Sequence, residues 1–326
     1  MGNHSAQTGC LSSFQTSAQQ NAPRIALINI MDNAAGTERH FVRTLLKANP
    51  LSDITLCRMA CAKKDHKYFD EQEYLLGDNY VDWHDVIGIE NIDLVIVTGI
   101  NRGTLSYTDL EKKYPDFWAE SQDLFRAIHT SLSDKKTGHA AFVCWSAFAA
   151  MKTLYGVEKG IRPQKLYGLF DHKIEIPNHP LAKGFGTENM LVPQSRSSFM
   201  KQHELDKVIC DHNGDTIMSG PDGPAIWTLE NNRMTCFINH LEYGFDTLAN
   251  EYARDKIKIR PDFPPPENYN PSDLLNHELL GTFDRLSQSC SHFYKNLIDL
   301  AQMQKNEPKN TSYELTQPYK PLKRSA

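Results

Sequence analysis

Three residues combine the types and placement that nucleophilic chemistry needs: Cys144, His240 and Glu242. Cys144 closes an apolar run of strand length, 140–144 (AAFVC), and leads at once into 145–154 (WSAFAAMKTL), which has helical character. A thiol at that junction sits at a helix N-terminus, where partial positive charge and unpaired N–H groups favour a thiolate and can hold a developing oxyanion. The small residues Ser146, Ala147, Ala149 and Ala150 let such a helix pack close to a sheet. On local sequence alone a buried small hydrophobe and a nucleophile account for Cys144 equally well. His240 and Glu242 follow a second apolar run, 234–239. Residues two apart on an extended or gently turning chain share a face, so the carboxylate can fix one imidazole nitrogen and leave the other for the thiol. A His-x-Glu by itself is usually a polar strand end; it gains meaning beside Cys144.

The elements that must position these groups alternate in the first half. Strand-length apolar runs are predicted over 24–31, 54–59, 93–99 and 140–144, with helices over 37–46 (Thr37 as N-cap), 117–130 and 145–154. Runs without alternation read as strands buried on both faces, and strand–helix alternation reads as a mostly parallel sheet flanked by helices. In an open sheet of that kind ligands bind beyond the carboxyl ends of the strands, which is where Cys144 falls. The second half carries hairpin signals: short strands at 208–215, 224–229 and 234–239, separated by Asn-Gly, Asp-Gly and Asn-Asn turns. Helical pattern returns at 245–254 and 273–304. The expectation is an α/β, flavodoxin-like single domain over 24–304, with a disordered leader at 1–23 and a disordered tail at 305–326.

Composition removes several classes. The chain has 326 residues, 40% hydrophobic and 23% charged, enough for one large core or two small ones. A formal charge of -5 and a pI near 6.2 give no basic patch for nucleic acid. Mean hydropathy is -0.51 and no apolar run is long enough to span a bilayer, so no membrane partner is expected. Residues 1–23 have neither a charged start nor an apolar stretch typical of a signal peptide, and Ala6 replaces the Ser or Thr that a myristoylation pattern wants. Seven scattered cysteines read as free thiols in a reducing cytoplasm, not as a disulfide framework. Cys57 and Cys61 have no matching pair at zinc-site spacing, so no metal is expected. His212 reads as part of an Asp-His-Asn-Gly turn.

Seven short stretches, in order, resemble the homoserine O-acyltransferases of the succinyl/acetyl type, which have the class I glutamine-amidotransferase-like fold. They are 28–31 (INIM) with Thr37 and Glu38, 97–99 (VTG), 142–145 (FVCW) with Ala149 and Ala150, 165–172 (KLYGLFDH), 193–196 (PQSR), 240–243 (HLEY) and 251–255 (EYARD). The resemblance implies that Cys144 takes the acyl group as a thioester, with His240 as general base oriented by Glu242. It implies amino-acid contacts from Lys165, Ser195 and Arg254, and in such a mechanism the backbone N–H groups of Trp145 and the Gly99–Ile100 loop are the expected oxyanion donors. A guanidinium suits a two-point clamp on an α-carboxylate. In the resembling family the position of Gly103 discriminates donors, Glu with acetyl-CoA and Gly with succinyl-CoA. A Glu there would fill space and repel the free carboxylate of a succinyl group, and Arg102 next door is a candidate to attract it.

The departures are as informative. The Met-Pro-x-Lys turn of the family reads Met31-Asp32-Asn33-Ala34, its Gly-His-Pro-Glu-Tyr-Asp reads Asn239-His240-Leu241-Glu242-Tyr243-Gly244, and its Gly-Ala-Pro loop reads Gly99-Ile100-Asn101. The expected activity is therefore acyl transfer from succinyl-CoA, ahead of acetyl-CoA, to the hydroxyl of L-homoserine in methionine biosynthesis. L-serine is the competing acceptor, because one methylene changes binding only modestly. An amidotransferase-like cysteine hydrolase is the alternative class, although the elbow reads Cys-Trp-Ser where Cys-x-Gly is usual there. A binding protein with a degenerate site is a third reading, hard to sustain while all three triad positions are filled. Acyl-CoA is a co-substrate, no resident cofactor is implied, and a homodimer is allowed for.

Overall fold

The computed structural model describes residues 22–64, 67–89, 91–186, 189–244, 246–270 and 277–307. The expected leader therefore lies outside the described residues except for its last two positions, and the tail beyond 307 does so entirely.

In the first half, β1 (Arg24–Ile28), α1 (Ala34–Ala48), β2 (Asp53–Arg58), β3 (Tyr80–Asp82) and β4 (Ile92–Val97) are followed by α2 (Tyr107–Lys113) and α3 (Pro115–Ser133). β5 (Thr137–Val143) then runs into α4 (Trp145–Tyr155). The second half holds β6 (Gly160–Ile174), β7 (Met190–Phe199), α5 (Gln202–Asp211), β8 (Thr216–Gly220), β9 (Gly223–Leu229), β10 (Met234–Phe237), α6 (Thr247–Lys258) and α7 (His277–Lys305). The strands form one sheet in the order β3-β2-β1-β4-β5-β10-β9-β8-β6-β7. The first six are parallel, and the pairs from β10 onward are antiparallel. This is the expected α/β architecture with hairpin strands added by the second half.

β1 shows why the unbroken apolar runs are strands. Ala26 and Ile28 join a core with Phe117, Phe125 and Trp145, from α3 and α4, on one face of the sheet. Ile25 and Leu27 join a second core with Phe41, Phe293 and Leu297, from α1 and α7, on the other. Alternate side chains thus enter different cores and both must be apolar.

Three local expectations need correction. The 208–215 segment is not a strand: α5 runs through Asp211, burying Leu205 and Ile209 four residues apart. The turn that follows is real, with Asn213 at φ 49°. Thr37 is not an N-cap, because α1 begins at Ala34 after Asn33. The cap is tertiary: Glu71 accepts the Ala35 N–H at 2.7 Å. The longest antiparallel pair, β6 with β7, was not among the predicted strands.

Candidate active site

β4, β5 and β10 are adjacent parallel strands, and just beyond their carboxyl ends come Gly99, Cys144 and His240. The β5–α4 junction is a strained elbow, with Cys144 at φ 53° and ψ -114°. A non-glycine residue there costs on the order of 1–3 kcal/mol and persists only where its surroundings force it. They do so by hydrogen bonds: the Cys144 N–H donates to Phe237 O at 2.7 Å. Ser146 folds beneath the elbow, its hydroxyl accepting the Val143 N–H at 2.8 Å and donating to Val97 O at 2.8 Å. Ser146, the third residue of the Cys-Trp-Ser elbow, thus ties the ends of β4 and β5 together.

Trp145 is the first residue of α4, so its N–H is among the first-turn donors with no intrahelical acceptor. Gly99 lies against the elbow: a Cβ added to it would stand 3.1 Å from Cys144 Cβ and 3.6 Å from Trp145 N. The Gly99 backbone and the Trp145 N–H therefore lie close together beside Cys144. Gly99→Ala is expected to push that loop out by a few tenths of an ångström. The catalysed rate should fall about ten-fold, with little change in unfolding free energy, a split readable by steady-state kinetics beside a denaturant melt.

β10 ends at Phe237 and the chain turns through 238–242, so His240 and Glu242 meet across a turn and not along an extended strand. His240 N–H donates to Pro193 O at 3.0 Å, which fixes the turn against β7. Its Nδ1 lies 2.7 Å from Glu242 Oε1. A carboxylate only accepts, so Nδ1 carries the hydrogen and Nε2 is left toward the sulfur. Among the described residues no hydrogen bond of ordinary geometry satisfies the buried Nε2, and Cys144 is the side chain that acts on the ring from that direction. Burial lowers the imidazole pKa, but the charges of Glu242 and Cys144 outweigh it and raise the group well above its usual value. Tyr243 stacks on the imidazole with ring centroids 4.2 Å apart.

The second cluster in the same cavity is organised by a residue that sequence reasoning missed. Glu251 on α6 accepts from Ser195 Oγ at 2.5 Å and Tyr243 OH at 2.8 Å, and lies 3.3 Å from Lys165 Nζ. Burial alone would raise its pKa, yet Lys165, Arg254 and the Ser195 hydroxyl hold it down to about 2. Lys165 also donates to Asp255 at 2.8 Å, and Arg254 Nε to the same carboxylate at 2.8 Å. Lys165 comes from β6, Ser195 from β7 and Arg254 from α6, so the unforeseen hairpin supplies two of the three. The signal was available: Glu251, Arg254 and Asp255 are spaced three and four apart, on one helix face.

The cavity encloses about 330 Å³ and is lined by Cys144, Trp145, His240, Glu242, Gly99, Ile100, Gly103, Lys165, Ser195 and Arg254 among others. That volume suits a small polar substrate with an acyl chain. Arg102 is the exception among the candidate residues: it is turned out of the lining. Its guanidinium donates to Tyr68 O at 2.8 Å, lies 3.7 Å from Asp32 and Asp70, and stacks over Tyr68 and Tyr114. Asp32, standing where the resembling family has proline, is one of the groups that hold it there, and Asn101 donates to Asp32 at 2.9 Å.

Comparison with known proteins shows the family and the fold. A family model described as homoserine O-succinyltransferase matches residues 7–307. A homoserine O-acetyltransferase of Dinoroseobacter shibae is 32% identical over 253 residues, covering 77% of this chain and 76% of the relative. A homoserine O-succinyltransferase of Pelagibacterium halotolerans is 30% identical, covering 77% and 75%. Among solved structures, a glutamine amidotransferase of Thermotoga maritima superposes with a TM-score of 0.54 at 13% identity, over 86% of this chain and 99% of its own. One from Methylobacillus flagellatus gives 0.54 at 12% identity, over 85% and 94%. At such identity these two establish the shared fold.

Proposed function

Because the chain belongs to the homoserine O-succinyltransferase family, matched over residues 7–307, we propose that it transfers an acyl group from acyl-CoA to the side-chain hydroxyl of L-homoserine, through a thioester on Cys144 and with succinyl-CoA ahead of acetyl-CoA. The observation that carries this reading is that one cavity joins the Cys144 elbow, the His240–Glu242 pair and the Lys165–Ser195–Glu251–Arg254 cluster.

The cluster suits an amino acid because it carries both signs of charge. Arg254 is placed to hold an α-carboxylate and Glu251, anionic at any neutral pH, to receive an α-ammonium. The hydroxyl of the acceptor then points along the cavity toward His240.

In the first half-reaction the Cys144 thiolate attacks the thioester carbonyl, and the oxyanion is held by N–H groups of Trp145 and the Gly99–Ile100 loop. The carbon–sulfur bond to CoA breaks, and CoA leaves with the proton of the His240 imidazolium. Acylation removes the charge on sulfur, one of the two influences that raise the His240 pKa. The imidazole thereby becomes a neutral base when the second half-reaction requires one. It takes the hydroxyl proton as the acceptor oxygen attacks the acyl carbon, the bond to Cys144 breaks, and the thiolate–imidazolium pair is restored.

The donor preference rests on Gly103, where a Cβ would meet Ser198 Oγ at 3.8 Å and nothing nearer. The site therefore has open volume where a longer acyl chain can lie. The test is release of CoA from succinyl- and acetyl-CoA with homoserine and with serine. The pair of succinyl-CoA and homoserine should have the highest kcat/KM. Faster use of acetyl-CoA would overturn the donor, faster use of serine the acceptor, and glutamine hydrolysis without any acyl-CoA turnover the reaction class.

A further inference from the structure

The cations around this cavity differ in one respect. Lys165 and Arg254 share Glu251 and Asp255. Arg196 spends its three nitrogens on Gln194 Oε1, Ser198 O and Asp222 Oδ2, at 3.1, 2.6 and 2.8 Å. Arg102 faces Asp32 and Asp70. Lys159, half-buried between α4 and β6, has no carboxylate within ion-pair distance among the described residues. Its ammonium donates to Gly103 O at 2.6 Å and to Ser198 Oγ at 3.4 Å, and it lies 5.3 Å from the centre of the Tyr107 ring. Gly103 and Ser198 both line the cavity, and Lys159 stands behind these two residues, outside the lining itself. An ammonium has three donors, so one is left over together with the whole of its charge.

We propose that Lys159 is the cation that receives the free terminal carboxylate of a dicarboxylic acyl donor at the Gly103 end of the cavity. The proposal rests on the acyl-transfer reading above and adds the group that would make the donor site select for charge. A half-buried cation without a counter-ion is costly, and an anion delivered by the substrate offsets that cost. Burial accordingly lowers the Lys159 pKa to about 8, with the Cys144 charge acting in the opposite direction. The same placement explains how one position sets donor choice. A Cβ added at 103 meets nothing nearer than Ser198 Oγ at 3.8 Å, so a Glu side chain there would have room to bring its own carboxylate to this ammonium. A carboxylate at 103 and one on the acyl chain would compete for a single partner, and like charges would exclude each other.

The experiment compares kcat/KM for succinyl-CoA with that for butyryl-CoA, which has the same chain length and no charge, in the wild type, Lys159→Met and Lys159→Gln. Both neutral variants should lower the succinyl-to-butyryl ratio at least about ten-fold, about 1.4 kcal/mol of selectivity, while Lys159→Arg should keep most of it. Gln retains a donor for Gly103 O, so it covers the case in which Met disturbs the loop. An unchanged ratio, or an equal loss on both donors, makes Lys159 part of the scaffold and overturns the proposal, as does failure of both neutral variants to fold. A wild type that turns over succinyl-CoA beside such an unchanged ratio leaves the acyl-transfer reading standing. A wild type that uses neither donor removes both.

Discussion

Cys144→Ala is expected to reduce acyl transfer by about 10⁴-fold or more, and to abolish a covalent acyl adduct that the wild type accumulates when given donor without acceptor. Intact-protein mass spectrometry after brief mixing with succinyl-CoA reads the adduct directly, as one added succinyl group on the wild type and none on the variant. The size of the effect follows from the order of events. Both half-reactions pass through the sulfur, so removing it leaves binding and the oxyanion donors but no path through a thioester. The elbow itself should survive, because its shape is set by Phe237 O, Val97 O and the Ser146 hydroxyl, none of which depends on the thiol. The melting temperature of the variant tests that separation. A variant that melts like the wild type and retains full activity would falsify the thioester mechanism, whereas an adduct that persists in it would place acylation on another residue.

The parts of this site that were legible in the sequence share a physical cause. Cys144 stood out because a buried parallel strand is apolar on both faces, so its end is marked by an abrupt change to a helix of small residues. The same rule made β1, β4 and β5 readable. The β6–β7 pair was not readable because the start of β6 lacks an apolar pattern. Its stretch 160–165 places Gly160, Pro163 and Lys165 where an ordinary strand would carry apolar residues, and the pairing with β7 slips between Ile161 and Leu166. α5 was mistaken for a strand because Val208 and Ile209 are β-branched; the helix is held by Leu205 and Ile209 against the core, a tertiary effect that outweighs local propensity. Arg102 seemed suited to a donor carboxylate from its place beside Gly103, but neighbours in sequence diverge in space here. Its side chain is drawn to Asp32 and Asp70, while Lys159, 56 positions from Gly103, donates to the Gly103 carbonyl. Glu251 was hidden for a related reason: a carboxylate on a polar helix looks like solvated surface until β6, β7 and the turn after β10 bring Lys165, Ser195 and Tyr243 to it.

Glu242→Gln should lower the second half-reaction by about 10²–10⁴-fold, and it should move the pH dependence in a direction that a purely structural role for Glu242 does not produce. Burial alone depresses the His240 pKa; the charges of Glu242 and Cys144 raise it well above the usual histidine range. Once Cys144 is acylated its charge is gone and Glu242 is the main remaining influence that favours the imidazolium. A glutamine can still accept the Nδ1–H, so the ring keeps its place, but the charge is lost and the balance tips toward burial. The His240 pKa in the acyl-enzyme must then fall. The base is active when neutral, so the acid limb of the transfer rate moves to lower pH in the variant, even as the plateau drops because the protonated ring formed in the transition state has lost its counter-charge. Single-turnover reaction of preformed acyl-enzyme with homoserine, followed from acid to neutral pH, separates the two effects. An acid limb that stays in place, or shifts upward, would mean that Glu242 does not act through the charge state of His240. A limb displaced to lower pH with a reduced plateau is the outcome the 2.7 Å contact between Nδ1 and Oε1 requires.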